Sequence, residues 1–125
     1  MPSTFARIAL AAMMMLSTPA QAAEWPDIST PLAAEGGGSK DAALVVAIGD
    51  YVFLPDIHGA RDNALDWYNW LKKTRGVPSV KVLSDHDATR EAILKEAAVA
   101  AGRVEAGGTL WVLFIGHGVL DVTTV

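Results

Sequence analysis

The chain has 125 residues and no cysteine. That length gives room for one domain of ordinary size, and the missing thiols exclude disulfides, thiolate metal sites and any cysteine nucleophile within these residues. Ten basic side chains against fourteen acidic ones give a formal net charge of −4, which offers no electrostatic footprint for a nucleic acid.

Residues 1–22, MPSTFARIALAAMMMLSTPAQA, carry one positive charge at Arg7, an apolar run from Ile8 to Leu16 and a small-residue end at Ala20-Gln21-Ala22. This order is that of a secretory signal peptide, and the apolar run is far short of the roughly 20 residues a spanning helix needs. The expected product is therefore periplasmic or secreted, with no membrane association after cleavage. Residues 23–40 combine Pro26, Pro31 and a Gly36-Gly37-Gly38-Ser39 run without a hydrophobic period, as a flexible linker does.

Order is expected from residue 41 onward. Ala42 to Ile48 are continuously apolar, which predicts a strand covered on both faces of a parallel sheet. VFLPDIHGARDN, with Pro55 and Gly59, reads as a loop. From about Asp62 the period becomes helical: Ala64, Trp67, Tyr68 and Leu71 share one stripe, Trp70 flanks it, and Gly76 with Pro78 ends it. SVKVLSD is interrupted by Lys81, as suits a strand nearer the sheet edge.

DATREAILKEAAVAAGRVEAGG follows as a second helix, with Asp87 or Thr89 as N-cap and Glu91 in its first turn. Ile93, Leu94, Ala97, Ala98, Ala101 and Val104 form its expected buried stripe, and Gly107-Gly108 stops it. LWVLFI, again wholly apolar, is the third strand. The alternation predicts an α/β fold: a three-layer parallel sheet with helices on both faces, the more polar second strand outermost and the order 2-1-3. The gap between the carboxyl ends of strands one and three is then the topological switch point where such sheets bind ligands. Gly49-Asp50-Tyr51 stands on one side of that gap and Gly116-His117-Gly118 on the other.

A histidine at such a strand end can serve as a general base, as a metal ligand, or as a polar residue closing the strand. Its flanking glycines let a substrate approach the backbone and leave the Gly118 amide open as a donor. Imidazole beside an open backbone donor is half of an acyl-transfer site, lacking the nucleophile. His58 and His86 lie in polar loops, so no metal is expected there. The tryptophans fit core or rim packing. Without a Gly-x-Gly-x-x-Gly or phosphate-loop pattern, nucleotide binding has no support and no cofactor is expected.

ALVVAIGDYVFLPDIHGARDNALDWYNWL, VLSDHDATREAIL and LWVLFIGHG, in that order, resemble the first half of the caspase and metacaspase superfamily of clan CD cysteine peptidases. The shared features are a first strand ending near Gly and Tyr, a Leu-Pro loop leading to Gly-Ala, an Ala-Thr-Arg helix start and the Gly-His-Gly strand end. The resemblance implies a truncated caspase-like fold over residues 41–125 and a cysteine-type endopeptidase acting on a peptide or protein substrate. In it His117 would activate a cysteine thiol and the Gly118 amide would help hold the oxyanion. The family's cysteine follows the next strand, past Val125, so a C-terminal half would have to supply it. The alternative is a non-catalytic pseudo-peptidase or peptide-binding module. Caspases carry an arginine shortly before the glycine matching Gly59, where this chain has Asp56, Ile57 and His58. Metacaspases have an Asn-Asp pair leading into the first helix; here it is reversed as Asp62-Asn63. Asp62 would either bind substrate in the specificity pocket or act as a plain first-turn acid.

Overall fold

The computed structural model describes residues 27–30 and 34–118. The expected signal peptide over residues 1–22 lies outside the described residues, as do residues 23–26 and 31–33 of the expected linker. Three strands, β1 (Ala42–Ala47), β2 (Ser79–Ser84) and β3 (Leu110–Ile115), form one parallel sheet in the order β2-β1-β3. Helix α1 (Ala60–Asn69) joins β1 to β2, and α2 (Arg90–Arg103) joins β2 to β3. Among the described residues no helix is long and apolar enough to cross a membrane.

β1 is the hub because all six of its residues, AALVVA, are buried. Small and β-branched side chains suit a strand pressed from both faces. On one face Ala43, Val45 and Ala47 pack with Ala64, Trp70 and Leu71 from the α1 side. On the other, Leu44 and Val46 join Leu83 and meet Ile93 and Ala97 of α2. Each fully buried Val or Leu contributes about 1.5–3 kcal/mol.

Three expectations are corrected. Trp70, expected to flank the α1 stripe, is buried with Leu71 and Thr74 at the start of a π-helical turn over Trp70–Thr74, its indole edge to face with those of Trp67 and Trp111 at 5.8 Å. The Trp70 amide keeps the α-helical bond to the Asp66 carbonyl, and the helix widens only after it, where the Arg75 amide bonds the Trp70 carbonyl, an i to i+5 link. The face of α2 is displaced too: Ala92, Ile93 and Ala97 pack on the sheet and Ala100 is buried, while Leu94, Ala98 and Ala101 are exposed. Alanines at 92, 97, 98, 100 and 101 surround that helix, so composition alone does not choose its face. Thirdly, among the described residues β3 is covered on one face only. Trp111, Leu113 and Ile115 pack against the α1-side cluster, whereas Leu110, Val112 and Phe114 are exposed.

Residues 35–38, within the stretch expected as linker, lie against the end of the π-helical turn. The Glu35 and Gly36 amides donate to the Thr74 carbonyl and the Gly38 amide to that of Arg75. Asp41 then fixes the start of the sheet. Its carboxylate, 5% exposed, accepts from the Thr109 amide at 2.8 Å and from Trp111 Nε1 at 3.0 Å, tying the foot of β1 to that of β3. Those two bonds, the indole first, hold its carboxyl below the ordinary range.

Candidate functional site at the end of the central strands

The register pairs Ala47 with Ile115, and the Ile48 amide donates to the Ile115 carbonyl at 2.9 Å. The two chains therefore leave the sheet side by side, and the residues that follow them meet. The His117 amide donates to Tyr51 Oη at 2.7 Å, and the two rings stand edge to face with centroids 4.7 Å apart. On the same loop, the Pro55 carbonyl lies 2.8 Å from His117 Nε2. A carbonyl oxygen only accepts, so Nε2 carries the proton of this bond, and in the neutral ring Nδ1 is left with its lone pair. That bond fixes one tautomer and one ring orientation for His117.

Gly116 is glycine for a reason of space. A Cβ there would stand 2.7 Å from Tyr51 Oη and 2.9 Å from Phe114 Cζ, closer than packed atoms come. Gly118 is exposed, and among the described residues its amide has no hydrogen-bond acceptor.

The loop that grips His117 is itself pinned. Asp56 Oδ1 accepts from the Tyr51 amide at 2.8 Å, and the Ile57 amide donates to the Gly49 carbonyl at 2.8 Å. Beyond β2, Asp85 adopts a left-handed backbone with φ 44°, a conformation that Asp tolerates better than most residues. Its carboxylate accepts from the Gly49 amide at 2.9 Å, the Asp50 amide at 3.2 Å and Arg61 Nη2 at 3.0 Å. These donors, the Gly49 amide first, hold the Asp85 carboxyl below its usual range. Gly59, with φ 84°, makes the left-handed turn into α1 that a side chain would strain. Between these parts lies an open cleft of about 320 Å3, with Asp50, Asp56, His58, Arg61 and Asp85 on its walls. Val52 and Phe53 project from the loop, 88% and 96% exposed.

His117 and Gly118 therefore lie at the strand end expected of them, facing the segment after β1. Asp62 is exposed in the first turn of α1, and the cleft is lined neither by it nor by His117 and Gly118. The acids that line it are Asp50, Asp56 and Asp85. His86 is exposed beside Asp87 at 3.3 Å and stands apart from that cleft. The sequence places Tyr51 across the gap from His117 with nothing to mark its role, and Pro55, Asp56 and Asp85 enter the site only through the structure. Pro55 contributes a backbone oxygen, which no residue pattern announces. Asp85, just past a strand end and ahead of a helix cap, was the one with a readable signal. No family model, curated protein or solved structure matches the chain.

Proposed function

We propose that this chain is the histidine-bearing part of a caspase-like cysteine endopeptidase. The observation that carries the reading is the 2.8 Å contact from His117 Nε2 to the Pro55 carbonyl. It gives the ring a fixed protonated nitrogen and leaves the opposite nitrogen to take a proton from a thiol. The adjacent Gly118 amide supports the same reading as a donor toward the oxyanion of an attacked peptide carbonyl. Asp62 is retained as a candidate for contact with a basic substrate side chain. The leader pattern of residues 1–22 supports a periplasmic or secreted product.

The chain contains no cysteine, so the nucleophile belongs to a segment outside these 125 residues, whether continuous with them or on a separate C-terminal half. In the proposed first step, that thiol yields its proton to His117 Nδ1, and its sulfur attacks the substrate carbonyl. The imidazolium then returns the proton to the leaving amine as the peptide bond breaks, leaving an acyl-enzyme thioester. Water, deprotonated by the same histidine, hydrolyses that ester.

The test is made on the gene product carrying its thiol-bearing segment. His117→Ala is expected to lower kcat/KM for peptide cleavage by about a thousandfold. Cleavage at the unaltered rate would overturn the reading. The missing thiol favours one other reading, a peptide-binding module or pseudo-peptidase. Saturable peptide binding without turnover by a product that has no cysteine would establish it instead.

A further inference from the structure

Tyr51 makes two contacts that no feature of the sequence required of it. Its Oη accepts the His117 amide at 2.7 Å, and its ring stands against the imidazole. The 2.7 Å approach that a Cβ on Gly116 would make to the same oxygen shows the strand end shaped around it. Tyr51 is in turn fixed by its own amide, which donates to Asp56 at 2.8 Å. We infer that Tyr51 is the positioning residue for His117, holding the backbone and ring so that Nε2 stays on the Pro55 carbonyl. Its catalytic meaning rests on the peptidase reading above, whereas the positioning itself does not.

The physical reason is the freedom that His117 would otherwise have. It is exposed at the end of β3, an edge strand among the described residues, where a single bond to Pro55 leaves the main chain free to swing. A second tie through the amide, four residues earlier on the same loop, makes the loop and the histidine one rigid piece. Neither tie passes through Nδ1, so that nitrogen keeps its lone pair for a proton.

The test reads the imidazole and the amide directly, on the full 125-residue chain. Three histidines give a simple spectrum when only histidine is labelled with 15N, and the loss of one set in His117→Gln assigns the rest. In the unaltered chain the two ring nitrogens of His117 are expected to resonate far apart, as in one fixed tautomer. Tyr51→Phe keeps the ring and removes the oxygen. It is expected to raise hydrogen exchange of the His117 amide about tenfold and to draw its ring shifts toward those of exposed His86, with β1 and β3 amides unchanged. Gly116→Ala, which pushes a methyl toward Oη and against the Phe114 ring, is expected to raise His117 amide exchange and move its ring shifts the same way, with Phe114 perturbed as well.

Unchanged exchange and shifts in Tyr51→Phe would overturn the inference, and so would a uniform rise across β1 and β3, since that marks a merely structural residue. Peptide cleavage does not enter these readouts. A fixed tautomer with no cleavage in any form of the protein would remove the peptidase reading alone; cleavage with an unmoved His117 signature would remove the positioning role alone.

Discussion

Asp41→Ala removes the clasp at the foot of the sheet. Two donors lose their acceptor, the Thr109 amide and Trp111 Nε1, in a place where Asp41 is 5% exposed and water replaces it poorly. A hydrogen bond to a charged group is worth about 1.5–3 kcal/mol. The low end for each bond gives a loss of about 3 kcal/mol, a large part of the 5–15 kcal/mol that holds a small domain. At about 4–8 °C per kcal/mol for a domain of this size, the melting midpoint is expected to fall by roughly 12–24 °C. Denaturant melts of Asp41→Ala, Trp111→Phe and the double variant separate the indole bond, with an expected coupling of about 1.5 kcal/mol. The acid limb gives a second check. The Asp41 carboxyl is depressed in the folded state from its ordinary 3.8, so its contribution is complete above that pH and is lost as pH falls through the lower folded value. Asp41→Asn cannot ionise and should show a shallower acid slope. A cost below about 0.5 kcal/mol, the range of ordinary surface changes, together with an unchanged acid limb, would refute the clasp.

Leu71→Ala, at a side chain with no exposure in the centre of the α1-side cluster, should cost about 2–5 kcal/mol in denaturant melts; a loss under 1 kcal/mol would mean that the π-helical turn closes the cavity by relaxing. The open face of β3 exposes Val112 at 57% and Phe114 at 56% beside a strand edge that is unpaired among the described residues. Val112→Lys with Phe114→Lys should therefore reduce concentration-dependent self-association in sedimentation runs, and equal behaviour of the two proteins would show that this face is not adhesive.

What was legible in the sequence is what periodicity and polarity encode. AALVVA has no polar residue to turn toward water, and Lys81 marks β2 as peripheral, so a parallel sheet in the order 2-1-3 followed from the strands themselves. A regular 3.6-residue period sets Trp70 at the side of its stripe, and what buries it is Trp111 on β3, far along the chain, together with Trp67. Leu94 was misplaced because a helix ringed by alanines has no dominant face. In β3, apolar residues on both faces suggested two covers, yet α2 lies mainly over β1 and β2 and leaves Leu110, Val112 and Phe114 open. Hydrophobicity says that a face can be buried and leaves unsaid what buries it.

The site was legible only where chemistry resides in a side chain of distinctive type. His117 between two glycines is conspicuous, but Gly116 is explained by the Oη of Tyr51, which lies 66 residues before the His117 whose amide it accepts, and the ring's partner at Pro55 is a main-chain oxygen. These contacts require β1 to be central. Its loop has to reach His117 after β3 on one side, through Tyr51 and Pro55, while its first turn is held by Asp85 after β2 on the other, through the Gly49 and Asp50 amides. With β1 at an edge, its loop would border only one of those two strand ends, and His117 or the anchor would be out of reach. The strand order thus does more than complete the core: it lets a carboxylate at the end of β2 steady the loop that orients an imidazole at the end of β3.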